Sequence, residues 1–458
     1  MSLPRTGSFV VALMTACAGG GEPGVTGGSI GSISNGGSEG PGDSSSATNP
    51  ATSADSGGDA EVSSGGADST GGEPPDLAGG TWMFENVSMT PVMGFHPRRA
   101  LTVDGRELVT WAETAPDDIG TLNIMAASHD GGSWTSESLT AYAGVQNTFP
   151  FMVSAPFPIV AWSGRTAVDD DDDVFVSIAK LDGWTPPRNL SDALEPATEA
   201  RADQHPALVA TDDGELAIAY ISAAIDGSQP DATPEVFVSE FLLEDSPSKR
   251  LPLVDASTTT CTDIAGASAP TGVFHFVLVC VKSSASTLLQ ATNRSGDWKT
   301  NELSGLGTAI LSPSMARGVA GVHLVWIQSQ PCGTETCAEV FHAATNDEVF
   351  GSPVQVTDEV NLDERRPAVG VDPWGRVLVL HQASVDGVVG VYLSVSEDDG
   401  ASFTALGRIS PTGTDDDYQS PTSIGFDADG NPSFALEVLE TGSDPLNVDV
   451  HVARFVPG

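Results

Sequence analysis

Three stretches of this sequence place arginine beside acids or histidine, and they are where binding chemistry would be sought first. Arg98 and Arg99 follow His96-Pro97, Arg201 precedes Asp203 and His205, and Arg365 and Arg366 follow Asp363 and Glu364. A guanidinium offers a planar fork of N–H donors that grips a carboxylate, so these sites gathered on one rim would make an anion clamp. The same neighbours also allow plain rim ion pairs, since Arg365 and Arg366 directly follow two acids. Tyr418, after the acidic run Asp415 to Asp417, and Asp203 are the candidate catalytic groups. His96 and His205 both precede proline, which makes each a turn or packing residue before it is a general base.

Two further groups of residues bear on ions and covalent links. Asp169 to Asp173 form an unbroken acidic run, and Asp169, Asp171 and Asp173 are candidate calcium ligands. Oxygen-only donors suit Ca²⁺, yet the run lacks the spaced D-x-D-x-D-G pattern that wraps an ion, so a solvated loop is the default. Besides Cys17 there are Cys261, Cys280, Cys332 and Cys337, which allow three pairings. Local bridges are the simplest choice, because Cys332 and Cys337 share one short loop and Cys261 and Cys280 flank two consecutive strands. Paired CxxC spacing is absent, which argues against a four-thiolate zinc site. No cofactor is implied beyond the possible calcium.

The elements that must position these groups are strands. From residue 81 onward, short apolar runs recur between Gly, Pro, Asp and Asn clusters, with no helical period. An anchor repeats along the chain: a proline, followed eight or nine residues later by glycine, followed in turn by an apolar run. It reads HPRRALTVDG from His96, HPALVATDDG from His205, SPSMARGVAG from Ser312, RPAVGVDPWG from Arg366 and SPTSIGFDADG from Ser420. Degenerate copies have Pro158 in place of the glycine in the second unit and Ile264 in place of the proline in the fourth. Anchors at 97, 150, 206, 264, 313, 367 and 421 define seven units of about 50 residues, the size of a four-stranded propeller blade.

The seventh unit has only three strands, and one orphan strand, Trp82 to Ser88, precedes the first anchor. Pairing the orphan into the last unit closes a ring and removes an unpaired edge. The expected fold is therefore an all-β, seven-bladed β-propeller over residues 81–458. A string of β-sandwiches needs about 100 residues per domain and would leave half a domain over. Loops entering the first strand of each unit share one rim, which would collect the arginine sites. Trp111, Trp162, Tyr220 and Trp326 recur with the units and belong to the core or channel mouth.

One turn carries a more specific signature. Ser396-Glu397-Asp398-Asp399-Gly400-Ala401-Ser402-Phe403 fits S-x-D-x-G-x-[ST]-[WF], and worn versions stand at 128–134, 180–184 and 293–298. In such a turn Asp accepts backbone N–H bonds, Gly takes the special dihedral and the aromatic ring packs between blades. The pattern resembles the Asp-box of sialidase-type (BNR-repeat) propellers. That resemblance implies a structural role for Ser396, Asp398, Gly400, Ser402 and Phe403, on the face away from the family's catalytic site. It also brings a six-bladed sialidase-type ring as the alternative to seven blades, and exo-sialidase-like glycoside hydrolysis as an alternative function. The family's F-R-I-P element is missing, since Phe95-His96-Pro97-Arg98-Arg99 stands in its place, and this weighs against catalysis.

The N-terminus gives an address. Arg5, a short apolar run Phe9 to Met14 and then Thr15-Ala16-Cys17 read as a secretory signal. The last residues resemble a bacterial lipobox, which implies lipidation of Cys17, and Ala18 after it implies the outer membrane of a Gram-negative envelope, on its periplasmic or cell-surface side. Residues 18–80 hold no Lys or Arg, nine acids and nineteen glycines, a composition that predicts a disordered linker with a coil span on the order of 40 Å. The net charge of −43 excludes sequence-independent nucleic-acid binding and disfavours anionic lipid surfaces, so any membrane contact is through the anchor alone. The expectation is a monomeric surface lipoprotein whose propeller binds a glycan or an envelope or extracellular protein. An envelope assembly scaffold is the third reading, since fold does not fix function.

Overall fold

The computed structural model describes residues 73–458, except for short loop segments of which the longest are 192–200 and 225–233. The signal segment, Cys17 and the linker as far as residue 72 lie outside the described residues. Every element assigned in the described part is a β-strand, and the strands form seven antiparallel sheets. The chain is thus a seven-bladed β-propeller, and the six-bladed alternative is set aside. The inner strands of blades 1 to 7 are Gly94–Leu101, Thr148–Val153, Arg201–Ala210, Thr259–Ser268, Thr308–Arg317, Arg365–Val371 and Asp416–Phe426. Each contains its repeat anchor. Each packs against the next, and the seventh packs back against the first, which closes the ring.

The second and third strands of a blade lie between two neighbouring sheets, which is why they are apolar on both faces. Trp111, Trp162, Tyr220 and Trp326 hold equivalent places on second strands and are fully buried in the inter-blade core. In blades 2, 3 and 5 the same ring contact recurs with the third strand: Trp162 with Phe175 at 5.8 Å, Tyr220 with Phe237 at 6.2 Å and Trp326 with Phe341 at 6.0 Å. The repeat in sequence is therefore a repeat in packing.

Closure follows the predicted route. Thr81–Asn86 is the outermost strand of blade 7 and pairs antiparallel with Asn447–Val456, from Thr81 opposite Val456 to Asn86 opposite His451. Trp82 packs on Phe434 and Phe455 with ring centroids 5.4 and 5.5 Å apart. An ion-pair network reinforces the seam. The Glu107 carboxylate accepts bonds from both Arg99 and Arg454, the latter at 2.7 Å, and Arg454 also reaches Glu85 at 2.6 Å. Blade 1, blade 7 and the closing strand are thereby joined through Arg454.

The packed domain starts earlier than the composition implies. Residues 73–80 fall within the predicted linker, yet Leu77, the one large apolar side chain among them, is buried with Leu378, Phe434 and Phe455. The Pro75 carbonyl also accepts a bond from Arg376 Nη1 at 2.9 Å. One buried leucine and one captured carbonyl outweigh the polar setting.

The Ser396–Phe403 turn has the hydrogen bonds its sequence calls for. Asp398 accepts from Ser402 N, Ser402 Oγ and Ser396 Oγ at 2.6–2.8 Å, and Gly400 N donates to Ser396 Oγ at 2.8 Å. Gly400 has φ +85° and lies directly on the buried His342 ring, where a Cβ would come within 2.0 Å of a ring carbon. Gly400→Ala combines a left-handed backbone with overpacking, so it should destabilise by roughly 2–4 kcal/mol. A lower urea midpoint at unchanged m-value would show this, and an unchanged midpoint would refute it.

Candidate functional site: the channel mouth

The anchors do more than mark blades. Proline has no N–H to give the ladder, and each inner strand carries a bulge close to its anchor. In six blades the residue just before the proline takes a positive φ of 40–53°: His96, Phe149, His205, Ser312, Arg366 and Ser420. Residues before proline are normally extended, and a left-handed non-glycine residue costs on the order of 1–2 kcal/mol. Blade 4 has Asp263 at the same place. All seven residues line one central cavity of about 660 Å³, together with Arg98, Phe151 and Glu437. The backbone device repeats because the fold repeats; the side chains it carries do not, and that variety is what a binding site requires.

Contacts around the mouth link five of the blades. On one side the rings of His96, Phe149 and His205 follow one another, with centroids 5.1 Å apart and then 3.9 Å apart and stacked. On the other side Arg366 Nη1 donates to Glu437 at 3.0 Å and to Ser420 Oγ, while Glu437 also accepts from His96 N at 2.9 Å. Arg98 lies over Phe151 at 5.6 Å, and its Nε is buried with no hydrogen-bond acceptor. Blades 4 and 5 contribute the shorter Asp263 and Ser312. At the opposite end of the channel, Arg317 forms a two-pronged bridge to Asp212 at 2.7 and 2.6 Å, joining blades 5 and 3 past blade 4.

The electrostatics of the mouth are mixed. Burial pushes the Asp263 carboxyl up to about 6, against the opposing pull of the Ile264 N–H and of Arg98. Burial, with His96 nearby, pushes His205 down to about 4, and burial lowers His96 despite Glu437. At neutral pH both imidazoles are therefore uncharged. Burial lowers Arg98 as well, but a guanidinium stays cationic at any ordinary pH. The mouth thus presents a flat ring stack, a guanidinium with donors to spare and a carboxylate of raised pKa.

The predicted rim residues divide. Arg98, His205 and Arg366 meet at the cavity. Arg99 does not, because its guanidinium is buried against Glu107 in the closing seam. Arg201 points away from the cavity too, bonded to Ser222 Oγ at 2.7 Å and Glu235 at 2.6 Å and lying over Phe237. Arg365 is exposed and is not part of the cavity wall. Asp203 is fully buried and does not line the cavity. Tyr418 sits on the inner strand of blade 7 opposite Val438, and its side chain lies outside the described residues.

In the acidic run, Asp169 lies outside the described residues. Asp172 accepts from Arg165 and Gln204 at 2.7 and 2.8 Å, and Asp173 accepts from Asn189 and Ser191 at 2.7 and 2.9 Å. Among the described residues, Asp171 included, no cluster of three His, Cys, Asp or Glu side chains could hold a metal ion. Cys261 and Cys280 form a disulfide between directly opposed residues, and Cys337 is also disulfide-bonded. The side chain of Cys332 lies outside the described residues. Phe149, Asp263, Ser312, Ser420 and Glu437 were not foreseen. Reading the residue before each anchor would have found the first four.

No protein-family model matches the chain, and none of the curated proteins matches its sequence. Similar solved structures exist. The α-L-arabinanase of Penicillium chrysogenum complexed with arabinobiose has 13% identity and a TM-score of 0.46, over 81% of this chain and 97% of that one. The NanB sialidase of Streptococcus pneumoniae has 12% identity and a TM-score of 0.45, over 83% and 70%. A PL25 ulvan lyase has 11% identity and a TM-score of 0.47, over 68% and 80%. At such identities the likeness concerns architecture alone. Among the described residues no helix is long and apolar enough to cross a membrane.

Proposed function

We propose that the propeller is a glycan-binding module that takes its ligand at the channel mouth, and that the chain is an outer-membrane lipoprotein held through Cys17. The observation that carries the binding reading is the mouth itself: a stacked Phe149–His205 face beside the donors of Arg98 and the carboxylate of Asp263, in one cavity. A sugar ring has apolar C–H faces that lie on flat rings and hydroxyls that both donate and accept. Such a site needs few convergent polar groups and a shaped wall, and both are present. The anchor rests on the Thr15-Ala16-Cys17 segment.

A panel of neutral and acidic oligosaccharides, titrated calorimetrically against the mature chain, tests the reading. Phe149→Ala should weaken binding of a recognised glycan by roughly threefold to tenfold, the usual worth of an aromatic platform. Affinity unchanged by that substitution would place the ligand elsewhere. No binding to any sugar, together with co-purification of an envelope protein, would favour a scaffold. Incorporation of labelled palmitate that Cys17→Ser abolishes would support the anchor.

One observation favours glycoside hydrolysis as a second reading. Two carboxyl groups, Asp263 and Glu437, share the cavity, and burial raises the first while Glu437 is ion-paired to Arg366. Two carboxyl groups that face one cavity, one of them favouring its protonated form, can divide the roles of acid and base. Cleavage of any panel member that Asp263→Asn abolishes would put this reading first.

A further inference from the structure

Blade 4 breaks the rule that the other six obey. It has Ile264 where they have proline, and Asp263 keeps φ out of the left-handed region in which the six equivalent residues lie. Its side chain lines the same cavity nevertheless. Something other than proline must set the strand there. The blade 4 bulge falls between Cys261 and Asp263, and Cys261 stands directly opposite Cys280, to which it is disulfide-bonded. The inner strand is therefore pinned covalently to its neighbour on the rim side of the bulge, two residues from the carboxylate. On the other side Ile264 supplies what proline lacks: its N–H donates to Asp263 Oδ1 at 2.9 Å.

We infer that the Cys261–Cys280 disulfide is the positioning device for Asp263, taking over in blade 4 the task that proline performs in the other six blades. A bulge without proline has no fixed φ to hold it, so the residues on either side must be held by something else. The cross-link holds the residue before the bulge, and the Ile264 N–H holds the side chain after it. What is positioned is the one acid among the seven ring residues, facing Arg98 of blade 1 across a cavity that also contains His96, His205, Arg366 and Glu437. Asp263 is then the group that selects ligands offering hydrogen-bond donors to the blade 4 side of the mouth. That last step rests on the glycan reading above; the positioning does not.

The test needs no ligand. The carboxyl titration of Asp263 is read in the full chain by infrared difference spectroscopy, with Asp263→Asn as the subtraction control. It is compared with the paired variant Cys261→Ala/Cys280→Ala and, should that chain fold poorly, with Cys261→Val/Cys280→Val, which keeps an apolar pair at the site. The expected result is a titration near 6 in the parent chain that falls toward the ordinary carboxylate range once the cross-link is gone, because the side chain is free to reach water. An Asp263 titration that stays put while thermal stability drops would reduce the disulfide to a staple and overturn the inference. A second readout uses any glycan bound by the parent chain. Loss of affinity from removing the cross-link and from Asp263→Asn should be non-additive, and additive losses would count against the inference. A shifted titration in a chain that binds no sugar would leave the positioning intact and defeat the glycan reading alone.

Discussion

Glu107→Ala is expected to cost about 3–5 kcal/mol of folding stability, because it strands two cations at a carboxylate that both of them share. Arg99 is buried and has Glu107 as its ion-pair partner, and Arg454 divides its fork between Glu107 and Glu85. Removing the carboxylate leaves the Arg99 guanidinium out of water without its ion-pair partner, with only the weaker pull of Asp427. Glu107→Gln keeps the shape and one acceptor oxygen, so it should lie between the parent and the alanine variant. The pH dependence has a definite sign. Burial alone would raise the Glu107 pKa, but Arg99 and then Arg454 hold it below the ordinary value of 4.5. A depressed carboxylate stabilises the fold fully above its unfolded-state pKa, and that contribution is lost as pH falls through the lower folded value. Parent and variant should therefore differ most at neutral pH and converge below about pH 4, as read by denaturant midpoints. A constant difference across that range would show that the network is not electrostatic.

Deleting the chain through Asn86 should have the largest effect of all. The strand Thr81–Asn86 occupies the outer edge of blade 7, and without it the six residues from His451 to Val456 present a free row of N–H and C=O groups. Phe434 and Phe455 lose Trp82 at the same time, and Arg454 loses Glu85. An unpaired, half-apolar edge recruits another chain, so the truncated protein should elute as dimers and larger species or fail to accumulate. A peptide spanning residues 73–88, added in trans, should restore the monomer. A truncated chain that remains monomeric with an unchanged melting temperature would mean that the ring does not depend on this seam.

Much of this was legible in the sequence, and the reason is repetition. A single anchor such as His96-Pro97 is weak evidence, but seven at a spacing of about 50 residues leave little freedom in blade number or in the place of the inner strands. The seam was readable from its arithmetic, a seventh unit one strand short and one strand to spare. The site was less legible. Arg99 and Arg201 look like Arg98 and Arg366 along the chain, yet in a strand adjacent residues face opposite ways. Arg99 therefore turns into the seam while Arg98 turns to the channel. The bulges compounded this by re-aiming the residue before each proline, and nothing in local composition shows where such a side chain goes. Phe149 carries no charge and belongs to no motif of site chemistry; its role appears only when blades 1, 2 and 3 stand side by side and its ring meets those of His96 and His205.

The seam also sets how the domain carries load. Inner strands start at the channel mouth, so the closing strand, which leads into the first of them, has its Asn86 end toward the mouth and its Thr81 end toward the far face. Residues 73–80 therefore lead into the strand from the side opposite the mouth. A ligand held at the mouth and a pull from residue 73 would draw Thr81–Asn86 lengthwise along Asn447–Val456. All six residue pairs of that ladder would bear the tension together instead of peeling in turn. The geometry is that of a lap joint in shear, with the Glu85–Arg454 pair as its rivet.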